Sequence, residues 1–378
     1  MRRRSHWSRS LLVSTLGWLG PLGCGDVDEP ADTDTATPSS DSGTMTSGPA
    51  PSTGATTTLP PPTTTGPEPM TGPDPDTSSG PGPMDTDTDT EGEDPGPMVD
   101  VSDPQLYDFE FSADEADPEA TTHLATQLAH LDTQVPIRGR LVVFLHGAGT
   151  PSTCGSRAHG RMLAGRGFHV VSPCYASDYG VGNCGDDIGG CRLEAFEGVD
   201  HSPVIEITPP NSSERRVVRA LQYLQAMHPG GDWQYYLDGE LPRWDRIIIT
   251  GSSHGASSSG VIGMHRLVDR VVMLSGPLDS GQAWLLGDPI TPIERFWGFT
   301  HTGDGQHAGH LQAFEDLGLP GGPAVVDGAM PPYRGSHRLV TSAPTDNGHG
   351  STTASGNSPM DGEDWVFQPV WDAMYVGD

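Results

Sequence analysis

Five consecutive residues, Gly251-Ser252-Ser253-His254-Gly255, place a serine between glycines in the pattern G-x-S-x-G. Residues 246–250 before it are rich in β-branched side chains and read as a strand, and 254–264 after it read as a helix. A strand that turns at once into a helix makes a bend so tight that positions beside the central serine must be nearly free of side chain, and it lifts the serine hydroxyl clear of the sheet. Gly251 and Gly255 meet that demand, while Ala256, Ser257 and Gly260 let the helix pack closely. A hydroxyl so displayed is suited to nucleophilic attack on a carbonyl carbon once a base takes its proton. The geometry also sets the backbone N–H of His254 beside Ser253 Oγ.

A second glycine-rich turn, His146-Gly147-Ala148-Gly149, follows the apolar run Leu141–Leu145 directly. With both motifs in this order, the chain resembles the α/β-hydrolase superfamily over roughly residues 135–376. The resemblance implies that the backbone amides of Ala148 and His254 hold the negative oxygen of a tetrahedral intermediate, each such donor contributing a few kcal/mol. It further implies a histidine base in the loop after the last strand. Of the 15 histidines, His349 in Asn347-Gly348-His349-Gly350 lies there, beyond a strand at 339–342 and ahead of the final helix. His337 precedes that strand and belongs at the opposite end of the sheet.

A carboxylate must hold the imidazole in one tautomer and stabilise the imidazolium. Asp304 follows a strand at 296–300 and is flanked by Gly303 and Gly305, as a tight catalytic loop requires. Asp279, after the preceding strand, is the alternative acid. His301, His307 and His310 surround Asp304, but their spacing matches no zinc pattern. They read as exposed loop histidines, so neither a metal nor a cofactor is expected.

Positioning these groups requires strands alternating with helices. The run Leu141–Leu145 is continuously apolar, as in a strand buried on both faces. Arg157–Ala164 reads as a helix, 168–172 as a strand, and 211–227 as a helix started by Asn211 three residues before Glu214. Further strands follow at 247–249, 271–274, 296–299 and 339–340. A helix near 364–376 closes the chain, its start delayed or kinked by Pro369. This alternation predicts an α/β fold of the α/β-hydrolase kind, a mainly parallel sheet with helices on both faces. The connection 173–210 is long enough to wall a binding site and holds Tyr175, Tyr179 and Phe196. The connection between the strands at 274 and 296 is too short for a helical cap. Together they predict an open cleft, to which Trp284 or Trp297 adds apolar surface.

The chain divides into three parts. Residues 1–24 carry Arg2, Arg3, Arg4 and Arg9 ahead of a short apolar run ending in Leu22-Gly23-Cys24. That is an export signal, and its end resembles a bacterial lipobox in which Cys24 receives lipid, with Pro21 standing where a leucine is preferred. Residues 25–100 are Pro, Thr, Gly, Ser and Asp, a composition that buries too little apolar surface to order itself and serves as a spacer. Residues 101–378 form the α/β domain. Removing Cys24 leaves Cys154, Cys174, Cys184 and Cys191, an even number that in an exported domain implies two disulfides. Three connectivities exist, and the short 184/191 separation favours that pair, leaving 154 with 174.

The formal charge is −30, and every one of the 20 basic residues is arginine. The spacer takes 16 of the 50 acidic residues, which leaves 34 against 16 arginines, a net −18, in the domain. Such a surface repels phosphate backbones and anionic lipids, so nucleic acid is excluded as a partner, and contact with a membrane runs only through the N-terminal lipid. The expected partner is a small or polymeric acyl ester. The expected location is the outer membrane or surface of a bacterium, as a lipoprotein, or otherwise the medium. The expected activity is cleavage of a carboxylic ester through an acyl-enzyme on Ser253, with His349 as base and Asp304 as acid. A peptidase or polyester depolymerase would use the same three residues, and a catalytically silent binding lipoprotein could keep the same scaffold.

Overall fold

The computed structural model describes residues 94–377; the export signal, Cys24 and the spacer up to residue 93 lie outside the described residues. The longer strands are β1 (Leu106–Ser112), β2 (Thr126–Asp132), β3 (Leu141–Leu145), β4 (His169–Ser172), β5 (Ile247–Ser252), β6 (Arg270–Leu274), β7 (Phe296–His301) and β8 (Arg338–Thr341). They form one sheet in the order β1-β2-β4-β3-β5-β6-β7-β8, with the two-residue strand Ala324–Val325 beyond β8. From β4 to β8 every neighbouring pair is parallel, and β2 runs antiparallel to both β1 and β4.

The apolar runs form strands because both faces of the sheet are covered. Leu141, Val143 and Leu145 point into one core cluster with Val217, Leu221, Leu224 and Ile262. Val142 and Phe144 point into the other, with Leu163, Val370, Trp371 and Met374. Helices α3 (Ser213–Met227) and α4 (His254–His265) thus cover one face, and α1 (Arg157–Ala164) and α6 (Gln368–Tyr375) the other. Helix α2 (Ile188–Glu197) lies within the long connection, and α5 (His307–Asp316) follows β7.

Differences from the expected elements have local causes. Strands β1 and β2 are additions, and the alternation of Tyr107, Phe109 and Phe111 with Asp108 and Glu110 is the period of a half-buried strand. Helix α2 carries no continuous apolar stripe, because Arg192 and Glu194 are buried alongside Ile188, Ala195 and Phe196. Glu194 spends its oxygens on the N–H groups of His201, Ser202 and Ile207, folding the rest of the loop around itself. Helix α3 is capped by Ser212, which accepts from the Arg215 N–H, and not by Asn211. Asn211 instead accepts the N–H groups of Thr121 and Thr122 at 3.0 and 3.1 Å. Helix α6 begins at Gln368 with Pro369 in its first turn, where a missing N–H costs nothing.

Residues 94–100, ahead of the boundary expected at 101, are docked on the domain. Asp94 pairs with Arg243 and Arg246 at 2.6 and 3.1 Å, the Asp100 N–H donates to the Gly230 carbonyl, and Val99 packs on the core. No helix among the described residues is long and apolar enough to cross a membrane.

The division of labour between Asn211 and Ser212 is testable. Ser212→Ala removes one helix cap and should cost about 1 kcal/mol. Asn211→Ala strands two amides and an Arg216 N–H, and should cost about 2–3 kcal/mol. Urea unfolding of the two variants checks the order; a larger loss for Ser212→Ala would contradict it.

Candidate active site

Ser253 sits between β5 and α4 with φ 59° and ψ −118°. A non-glycine residue held there stores about 1–3 kcal/mol of backbone strain, and the surroundings leave it no alternative. A Cβ placed on Gly255 would lie 2.0 Å from the Leu145 carbonyl oxygen, and one on Gly251 would lie 2.4 Å from the Gly255 carbonyl carbon. The bend therefore closes only with glycine at both positions. The Ser253 N–H donates to the Leu274 carbonyl at 2.9 Å, and its own carbonyl accepts from Ala256 and Ser257 to start α4.

The turn after β3 passes directly over this serine: a Cβ placed on Gly147 would stand 3.5 Å from Ser253 Cβ. Ala148 from that turn and His254 from the start of α4 both line a cleft of about 440 Å³, with Tyr179, Arg192, Leu278 and His310. Tyr179 and Arg192 come from the long connection, which is braced as expected by Cys154–Cys174 and Cys184–Cys191.

His349 lies in a single helical turn, Gly348–Ser351, after β8, capped by the Asn347 side chain. Its Nδ1–H donates to Asp304 Oδ2 at 2.7 Å, and the Asp304 side chain is 2% exposed. Asp304 also accepts the Gln306 N–H at 2.9 Å. Burial pushes the Asp304 carboxyl up, but the hydrogen bonds from His349 and Gln306 outweigh it and hold the group below its usual range. A Cβ on Gly348 would meet Asp304 N at 2.8 Å, so glycine there lets the histidine turn lie on the aspartate turn. The His349 carbonyl accepts the Ser275 hydroxyl at 2.7 Å. Ser275 directly follows Leu274, the residue that holds the Ser253 N–H. The serine and histidine turns are thus pinned to adjacent residues at the end of β6.

Asp279 faces a different partner. Its two oxygens accept Nε–H and Nη2–H of Arg192 at 2.6 and 2.7 Å, and the Trp284 indole N–H adds a third bond at 3.0 Å. Of the two candidate acids, Asp304 is the one brought to His349, and Asp279 closes a buried ion pair in the cleft wall. Arg192 also reaches the His254 carbonyl and Ser258 Oγ, both at 3.3 Å. Nothing in the sequence singles out Arg192, whose partner is 87 residues away.

The histidines near Asp304 are not exposed loop residues as expected: His301 and His310 are buried. His301 accepts the Gly303 N–H and donates to the Ala343 carbonyl, so both ring nitrogens are occupied. His310 bonds Thr300 Oγ1 at 2.9 Å, and burial lowers its pKa to about 4, leaving it neutral. Among the described residues no group of three or more His, Cys, Asp or Glu side chains is gathered to hold a metal ion. Trp284 braces the cleft wall through Asp279. Trp297 stacks on His337 at the opposite end of the sheet, 3.6 Å between ring centroids, and takes no part in the cleft.

Every one of these turns follows the carboxyl end of a parallel strand, where open α/β sheets place their ligands. With the serine bend after β5, the architecture is an α/β-hydrolase fold. No family model matches the sequence, and no curated protein matches it. Solved structures similar to it include esterase B from Lactobacillus rhamnosis, inhibited by a tributyrin phosphonate, at 12% identity over 63% of this chain and 75% of that one, TM-score 0.35. A putative dienelactone hydrolase from Klebsiella pneumoniae is 15% identical over 72% and 97%, TM-score 0.35. The dienelactone hydrolase-like promiscuous phosphotriesterase P91 from metagenomic libraries is 15% identical over 71% and 96%, TM-score 0.34.

Two outcomes follow from this electrostatic arrangement. Arg192→Leu abandons a buried carboxylate and should cost about 3–5 kcal/mol in denaturant unfolding, while adding Asp279→Leu should restore most of it; a loss of under 1 kcal/mol would contradict the pair's burial. Because the folded pKa of Asp304 is depressed, its contribution to stability is present above the ordinary carboxyl pKa of about 4 and is lost as pH falls through the folded value. The stability gap between wild type and Asp304→Asn should therefore be full at pH 6 and narrow below pH 4. A gap that widens on acidification would show the opposite shift.

Proposed function

We propose that the protein is an exported serine hydrolase that cleaves a carboxylic ester by acyl transfer. The observation that carries this reading is the 2.7 Å hydrogen bond between His349 Nδ1 and the buried Asp304. With Nδ1–H committed to the carboxylate, Nε2 is left as the lone-pair nitrogen, the form a general base needs. Ser253 Oγ attacks the ester carbonyl carbon as His349 Nε2 takes its proton. The tetrahedral oxyanion is held by the backbone N–H groups of Ala148 and His254. Collapse expels the alcohol, which leaves with the proton from His349. Water then adds to the acyl-enzyme with His349 again as base, and the acid departs. Asp304 remains ionised throughout, orienting the ring and stabilising the imidazolium.

The cleft supports an uncharged acyl or alkyl group. Its two charged side chains, Arg192 and Asp279, neutralise one another, and the rest of its wall, which includes Tyr179, Pro277, Leu278 and Gln306, carries no other acidic or arginine side chain. Export rests on the arginine-led apolar N-terminus and on the two disulfides, which persist in oxidising compartments. Anchoring through a lipid on Cys24 belongs to the same proposal.

A fluorophosphonate probe tests the assignment. Wild type should be labelled, and Ser253→Ala, verified as folded by circular dichroism, should not. Against a p-nitrophenyl ester panel, Asp304→Asn should lose about 10⁴-fold in kcat by presenting the wrong tautomer. An unlabelled wild type that hydrolyses no ester would favour a silent binding module, and cleavage of peptides in preference to esters would favour a peptidase.

A further inference from the structure

Tyr175 belongs to no motif, yet it touches both arms of the proposed oxyanion hole. It follows Cys174, which is bonded to Cys154 and whose N–H donates to the buried Gln127 side chain at 3.2 Å. The Tyr175 ring is 1% exposed and packs on the His146 ring with centroids 4.6 Å apart. Its hydroxyl donates to the His146 carbonyl at 2.8 Å. The same oxygen lies 3.1 Å from His254 Nδ1. One hydroxyl has one proton, so if that proton goes to His146, the His254 contact must be Nδ1–H donating to the tyrosine oxygen. Burial keeps the His254 ring neutral and the Tyr175 phenol protonated.

Two residues later, Ser177 clamps the far end of the same turn. Its hydroxyl donates to the Gly149 carbonyl at 2.9 Å, and its own carbonyl accepts the Gly149 N–H at 3.1 Å. The segment after β4 thus holds the glycine-rich turn at His146 and at Gly149, with Gly147 and Ala148 suspended between.

We propose that Tyr175 is a positioning residue for the oxyanion hole, its hydroxyl tying the loop arm at the His146 carbonyl to the helix arm at the His254 ring. The inference rests on the serine-hydrolase reading above and adds to it the element that sets the spacing of the two donors. Such donors act only when they meet the oxyanion at about 2.7–3.1 Å without reorganising. Removing the hydroxyl leaves a buried carbonyl and a buried ring nitrogen without this partner, and both arms can then relax independently.

Tyr175→Phe should lower kcat for a p-nitrophenyl ester by about ten- to a hundredfold with KM changed less than twofold. Affinity for a trifluoromethyl ketone, whose carbonyl takes up Ser253 Oγ to form a hemiketal oxyanion, should fall by the same factor as kcat/KM. Tyr236→Phe is the control, since Tyr236 makes the same kind of buried bond to His169 Nδ1 at 2.9 Å outside the site. It should lower Tm without changing kcat. Wild-type kcat and ketone affinity in Tyr175→Phe would overturn the proposal, as would equal loss of kcat in the Tyr236 control. If Tyr175→Phe does not fold, Ser177→Ala carries the test, with a smaller parallel fall in kcat and ketone affinity expected and no change in either refuting it. Fluorophosphonate labelling of wild type separates this outcome from failure of the parent reading, which alone predicts an unlabelled protein.

Discussion

The structure depends on the closeness of one crossing, where the start of α4 passes over the end of β3. The Leu145 carbonyl leaves no room for a side chain at Gly255, and Gly255 leaves none at Gly251. Between those two glycines Ser253 is forced to φ 59°. The strain is retained because the bend is held from several sides, by the Leu274 carbonyl, by the first bonds of α4 and by the turn at Gly147. Strain confined by a rigid frame is how a hydroxyl can be kept in a conformation that it would not adopt alone.

Two aspartates show how surroundings divide similar residues between roles. Asp279 and Asp304 each follow a strand on the same edge of the sheet, and each is buried. Arg192 takes both oxygens of Asp279 and makes it part of a neutral wall. Asp304 meets the His349 imidazole instead, whose side chain is 37% exposed. With Asp279 paired to Arg192, the cleft wall carries no net charge from its acidic and arginine side chains.

The frame around the site is also polar, and its bonds are long in sequence. Arg192 joins α2 to the His254 carbonyl, Tyr175 joins the segment after β4 to both glycine-rich turns, and Ser275 joins the end of β6 to His349. Each buried polar group in this set satisfies another, so losing one exposes its partner to a desolvation cost. The two disulfides hold the connection that supplies Tyr175, Tyr179 and Arg192. They hold these residues in place without lining the cleft themselves.

The central strands, the glycine bend at Ser253, the turn at His146 and the place of His349 beyond a strand are legible in the sequence, because each is written in neighbouring residues: an apolar run, a pair of glycines, a histidine beyond a strand. Helix α2 and the burial of His301 and His310 are not, because a buried polar side chain looks like an exposed one until its partner is known. The choice between Asp304 and Asp279 likewise lay with Arg192, 87 residues from the carboxylate it occupies. Local sterics and periodicity determined where the chain bends and which residues line the sheet. Pairing between distant polar groups is set by three-dimensional proximity alone, so only the tertiary structure decided which carboxylate faces the histidine and what holds the two turns in register.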